Sequence, residues 1–304
     1  MLKIAPIAGA LCATLMFTAA AQAESNGSVA RAGFVEESGG SARINLAGKL
    51  RMLSQRIPAA ACAVKTGLVA DESQAVLDGA VAEFHQILAA LEFGDDSIGV
   101  FGAEERARTL RVIQELHTKF DPIEAALEDS VAGVPSDAAM QIIADNNTAV
   151  LEMAKLLVVE ISGEYASPVA LRQSDAMAID IAGRQRMLTQ QISKYSCQIS
   201  SGLNATSSRD TLASTVQIFE ASLQALRNGM PAVGLEEPPT DEIAAGLDVV
   251  KSDWLEVKTH IDAIDAGETL SDADRAAIFV GLNTTMADMN KVVGMYSDAS
   301  KLGF

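Results

Sequence analysis

Apolar residues recur along the chain at three- and four-residue intervals in eight stretches, each closed by glycine, proline or a polar cluster. This is the spacing that puts apolar side chains on one face of an α-helix. The predicted helices cover about 41–68, 72–92, 103–131 and 136–166, and then 168–202, 207–228, 240–266 and 271–301. Breaks fall at Gly67, Gly94 to Gly102, Gly133 to Ser136, Gly202, Gly229 to Pro239 and Gly267. Ser136-Asp137 and Ser271 to Asp274 are helix-starting sequences, because a short oxygen-bearing side chain can accept from the first unpaired backbone N–H groups. The predicted fold is all-α.

The two sets of four are copies. "INLAGKLRMLSQRI" at 44–57 returns as "IDIAGRQRMLTQQI" at 179–192, with eight of 14 positions identical and four more conservative. The same shift of 135 places Cys62 on Cys197, Gly67 on Gly202, Phe84 on Phe219 and Gly94 on Gly229. Shifts of one or two more match Phe120 with Val257, Asn147 with Asn283 and Met153 with Met289. Four amphipathic helices joined by short turns predict an up-down four-helix bundle for each copy. Ser167-Pro168 fits an N-cap followed by proline at the first helical position, which favours two bundles side by side. A proline-kinked continuous helix, with the bundles end to end, is the alternative.

At about 100° per residue, Leu46, Leu50, Leu53, Ile57, Val64 and Leu68 form the stripe that the first bundle buries. Nearly opposite lie Ile44, Gly48, Arg51, Gln55 and Cys62, and the second copy repeats all five as Ile179, Gly183, Arg186, Gln190 and Cys197. A solvated helix face has no need of this repetition, and glycine costs a helix about 1 kcal/mol relative to alanine unless something approaches closely. The economical partner of each face is the other, through a pseudo-twofold interface. Two guanidinium groups brought together there repel unless an anion lies between them.

Charge sharpens that reading. The chain carries −17 overall, yet residues 38–70 and 181–209 hold no acid and nine basic residues: Arg43, Lys49, Arg51, Arg56, Lys65, Arg184, Arg186, Lys194 and Arg209. The overall acidity excludes nucleic acid and anionic membrane surfaces as partners. The planar fork of arginine suits a planar oxyanion.

Cys62 and Cys197 each follow the repeated arginine by 11 residues on the same face. With parallel helices they would meet across the pseudo-twofold as a disulfide; two buried thiols filling space are the alternative. Pro58, where the second copy has Ser193, breaks the symmetry and is expected to kink the first helix.

His85, His117 and His260 are isolated from one another, no phosphate loop or nucleophile motif occurs, and Trp254 and the methionines near 290 sit at core spacing. Neither catalysis, a metal nor a cofactor is expected.

Residues 1–23 have the form of a secretory signal: Lys3, an apolar run from Ile4, and Ala21-Gln22-Ala23 before an expected cleavage. The run is short for a membrane span. Cys12 lacks the small residue that a lipoprotein signal places before it. The expected layout is a signal peptide over 1–23, one bundle over 24–167 and a second over 168–304, in an exported, periplasmic protein.

The repeated motif resembles the sensor domain of nitrate/nitrite sensor histidine kinases, also named for the N-terminal domain of type IV pili methyl-accepting chemotaxis transducers. The resemblance spans both copies. It implies four-helix bundles that dimerise, with nitrate or nitrite held between two motif helices by the arginine of "AGxxRM". Carried onto this chain, it implies Arg51 and Arg186 as ligands, Gly48 and Gly183 as close-approach positions, and Lys49 and Arg184 as secondary candidates. Family members continue into a transmembrane helix and a kinase or chemoreceptor module. Here the chain reads to Phe304 without either, so output is expected through a separate membrane-bound sensor kinase or chemoreceptor. The expected function is oxyanion sensing within one chain, with homodimerisation open. The alternative is a ligand-free interaction or scaffold module of a sensory system.

Overall fold

The computed structural model describes the backbone of residues 15–165, 173–203 and 205–302, and side chains within 39–165, 174–203 and 208–300. Eight helices occupy the described residues: α1 (Leu15–Thr66), α2 (Ala70–Phe93), α3 (Ala107–Glu128), α4 (Asp137–Tyr165), α5 (Gln173–Ser200), α6 (Ala205–Asn228), α7 (Asp241–Asp265) and α8 (Asp272–Leu302). Seven match the predicted spans to within a few residues, apart from the later start of α3; the expected start of α5 at 168 lies outside the described residues. The helix α1 begins much earlier than the predicted residue 41, at Leu15. It also continues through Pro58 to Thr66. Ser167-Pro168 and residues 1–14 of the expected signal peptide lie outside the described residues. No helix among the described residues is long and apolar enough to cross a membrane.

Helices α1–α4 form one bundle and α5–α8 the other, and the bundles lie side by side along α1 and α5. Within each bundle the motif helix is the hub. It packs on the second and fourth helices of its copy, while the second and third touch only lightly. The stripe Leu46, Leu50, Leu53, Ile57, Val64 and Leu68 is buried as predicted. Each fully buried Leu or Ile of this kind contributes roughly 1.5–3 kcal/mol.

The turns repeat with the helices. In each copy the second helix is followed after two residues by a one-turn 3₁₀ segment, Asp96–Ile98 or Pro231–Val233, closed by a glycine at φ 82° (Gly99) or 81° (Gly234). A side chain at that left-handed angle would be strained. Caps form at both signalled starts, where Ser136 Oγ accepts from Ala139 N and Ser271 and Asp274 bond each other reciprocally, and also at Thr240, whose Oγ1 accepts from Ile243 N. The aromatic centres correspond imperfectly. Phe84 stacks on Phe120, whereas the ring that meets Phe219 is Trp254, one turn before the aligned Val257. Trp254 is core, its Nε1 donating to Glu220.

Candidate functional site: the paired arginines between α1 and α5

Matching residues of the two motif helices meet at two levels. The Nη2 atoms of Arg51 and Arg186 both lie 3.5–3.7 Å from the positions where Cβ atoms of Gly48 and Gly183 would stand. Three turns further along, Cys62 and Cys197 have Cα atoms 6.2 Å apart and Sγ atoms at bonding distance, 2.09 Å. Like meeting like at both levels means that α1 and α5 run parallel. The two repeated faces meet each other as expected: Gly48, Arg51, Gln55, Cys62, Gly183, Arg186 and Gln190 are buried, and Ile44, Ile179 and Cys197 lie half-buried at the margin.

The arginines reach across the interface. Arg51 Nη2 donates to Asp180 Oδ1 of α5 at 3.0 Å, and Arg186 Nη2 donates to Asn45 Oδ1 of α1 at 3.1 Å. Asn45 and Asp180 are the same position of the motif, so the two contacts are related by the pseudo-twofold. Their chemistry differs. Arg51 has a carboxylate partner, whereas Arg186 has the amide oxygens of Asn45 and, at 2.6 Å from Nη1, of Asn290 in α8. A weak contact from Nε to Gly183 O completes its set. Among the described residues no carboxylate comes within ion-pair distance of Arg186, which is only 1% exposed.

Burial lowers the Arg186 pKa to about 10, with the neighbouring Arg51 charge adding to the effect and Glu83 opposing it. Arg51 is lowered by burial and partly restored by Asp180. Both guanidinium groups stay charged near neutrality. Among the described residues the two buried cations have one carboxylate at ion-pair distance, which leaves Arg186 without a directly bonded counter-ion, an arrangement that costs stability in a low-dielectric interior. Arg51 Nε is also buried without a partner.

Of the remaining predicted ligands, Lys49 is engaged elsewhere and Arg184 is joined to the arginine pair only through the shared Asp180. Lys49 is held by Glu83 of α2 at 2.7 Å, and the mostly exposed Arg184 is held by Asp180 Oδ2 at 2.7 Å, a turn back on its own helix. Most other cations of the acid-free windows have structural partners: Arg43 donates to the carbonyls of Leu91 and Phe101, Arg209 to that of Ile264, and Lys65 pairs with Asp137. The positive windows thus converge on the interface as Arg51, Arg186, Arg56 and Lys194.

Lys194 was not singled out by the motif. Its ammonium is buried between the bundles, donating to Gln55 Oε1 at 2.7 Å and Asn147 Oδ1 at 2.6 Å over the Tyr195 ring. Burial lowers its pKa to about 7. The first copy has Ala59 at the matching position, so the aligned motifs gave no signal for it. The folded pKa lies below the unfolded value near 10.4, so the unfolded chain binds more protons between these values and stability rises with pH across about 7 to 10. The slope approaches about 1.4 kcal/mol per pH unit. Lys194→Met removes this rise, and urea unfolding of both proteins at pH 7, 8 and 9 measures the difference.

With this geometry in view, the chain matches the type IV pili methyl-accepting chemotaxis transducer N-terminal family over residues 35–144 and again over 169–278. The protein belongs to that family, as two tandem copies of its sensing domain within one chain. This is a sensory family and not a catalytic one, and it gives the chain a signalling role of the chemoreceptor type. No curated protein matches the chain.

Proposed function

We propose that this protein is an exported, periplasmic sensor of a small oxyanion, nitrate or nitrite first, held between α1 and α5 by Arg51 and Arg186. Its signal peptide would be removed after Ala23, and its state would be read by a membrane-bound sensor kinase or chemoreceptor. The carrying observation is the fully buried Arg186 guanidinium, partnered by neutral amide oxygens alone. A planar monovalent anion beside Gly48 and Gly183 would supply the missing charge and accept from both Nη2 atoms. Relatives would form such a site by dimerising; here the duplication supplies both halves. Binding would bias the separation of the two helices at the arginine level, while the cysteine level three turns away keeps them together.

Isothermal titration of the purified protein with nitrate, nitrite and chloride tests this directly, saturable heat being the expected result. The rival reading, a ligand-free interaction module, is favoured by one observation: Asp180 already provides Arg51 with an anion. Absence of heat and of any thermal shift with all three anions selects it.

The glycines give a separate test. A methyl at Gly48 or Gly183 would sit 3.5 Å or more from the nearest protein atoms, an ordinary contact. Gly48→Ala and Gly183→Ala are therefore expected to fold, with helicity by circular dichroism unchanged. Each should weaken nitrate binding by about tenfold or more, the loss of one charge-assisted hydrogen bond. Unchanged affinity in both variants would place the ligand elsewhere.

A further inference from the structure

We propose that Asp180 is a built-in counter-ion that makes the interface selective for one monovalent anion, an inference that rests on the anion-binding reading above. Asp180 bridges two arginines, Oδ1 to Arg51 at 3.0 Å and Oδ2 to Arg184 at 2.7 Å, from a side chain 36% exposed. At the pseudo-symmetric position the first copy has Asn45, the same shape without the charge, and it accepts from Arg186 at 3.1 Å. The backbone symmetry is preserved and the charge symmetry is broken, at the residue that each arginine touches across the interface.

The charge count sets the selectivity. Arg51, Arg186 and Asp180 sum to one positive charge; Glu83, whose charge also reaches Arg186, is balanced by Lys49 at 2.7 Å, and Arg184 lies outside, 58% exposed and screened by solvent. A monovalent oxyanion neutralises that single charge. A dianion such as sulfate would leave the buried cluster negative, beside a carboxylate that repels it. Were both positions asparagine, two charges would face the ligand. Were both aspartate, none would, and the arginines would be satisfied internally.

The position of Asp180 also gives it a gating geometry. It and the exposed Asn290 form the solvent-facing rim of the arginine pair. An anion approaching Arg51 Nη2 competes with Asp180 Oδ1 for the same donor. Arg184, a turn further along on the same helix, offers the displaced carboxylate a second partner, so it can swing outward without losing its charge pairing.

Calorimetric titration of the full chain with sodium nitrate and sodium sulfate, for wild type, Asp180→Asn and Asn45→Asp, tests the proposal. Both substitutions are nearly isosteric, and each installs a residue already present at the matching position of the other copy; circular dichroism confirms folding. The wild type is expected to bind nitrate and not sulfate. Asp180→Asn should bind nitrate about tenfold tighter or more, the fold-change of one charge-assisted hydrogen bond freed for the ligand, and should gain sulfate binding. Asn45→Asp should bind neither. Sulfate binding by the wild type, or nitrate binding by Asp180→Asn that is unchanged or weaker, overturns the proposal while the anion reading stands. No response to either anion in any of the three proteins removes both.

Discussion

Arg186→Met is expected to abolish most of the response to nitrate without destabilising the unliganded protein. The wild-type guanidinium is desolvated and has no carboxylate partner among the described residues, so its burial is unfavourable without a ligand. Methionine fills comparable space without a charge, and replacing buried ions by apolar side chains of similar volume is often neutral or stabilising by about 1–4 kcal/mol. Two amide oxygens, of Asn45 and Asn290, lose their donor, which offsets part of that gain. The ligand loses a contact worth roughly 1.5–3 kcal/mol, so affinity falls about ten- to a hundredfold. Arg51→Ala should lose a comparable amount, since Asp180 would then neutralise Arg186 alone. The measurement is the unfolding midpoint of each variant with and without nitrate. A purely structural arginine predicts the opposite pattern, lower stability at every nitrate concentration with the nitrate-dependent increment intact. That pattern would refute the proposed site.

The second large effect concerns Cys62 and Cys197. We propose that they form a disulfide in the exported protein, joining the bundles across a sequence separation of 135. On the chain-entropy model, closing so long a loop contributes about 5 kcal/mol through the unfolded state. Cys62→Ser with Cys197→Ser should therefore lower stability to urea by several kcal/mol, and reductant should do the same to the wild type only. Cys62 is fully buried and Cys197 only partly exposed, so reductant should attack the folded protein at the Cys197 sulfur and act faster once denaturant opens the interface. Non-reducing peptide mass spectrometry should recover one crosslinked pair containing residues 62 and 197. Equal stability of the double variant and the oxidised wild type would remove the structural role of the bond.

The alternation of apolar residues made the helices legible, because helix formation and burial depend on a local period that a single strip of sequence contains. The stripe from Leu46 to Leu68 needed no knowledge of its partners to be identified as core. Trp254 shows where this stops: alignment matched Phe120 to Val257, but side-chain volume decided which ring packs on Phe219.

The site was legible in part for the same reason. Gly48, Arg51, Gly183 and Arg186 appear twice at one helical angle, so repetition and period were enough to nominate them. Lys49 and Arg184 lie beside them in the chain, but about 100° around the helix, and they turn to Glu83 and Asp180 instead. Asn45 and Asp180 were overlooked because each serves the arginine of the other copy, a relation that no single helical wheel contains. Lys194 was overlooked because it breaks the repeat that guided the reading.

By itself, then, the sequence determined the duplicated helical bundles, the buried stripe and the four residues of the repeated glycine-arginine face, all consequences of local periodicity and of comparing one copy with the other. Only the tertiary structure decided that α1 and α5 run parallel, that Arg51 meets an acid while Arg186 meets amides, and that Lys194 is buried between the bundles. Those facts depend on which side chains two distant helices bring together, and on how much water they exclude, neither of which is encoded within any one window of the chain.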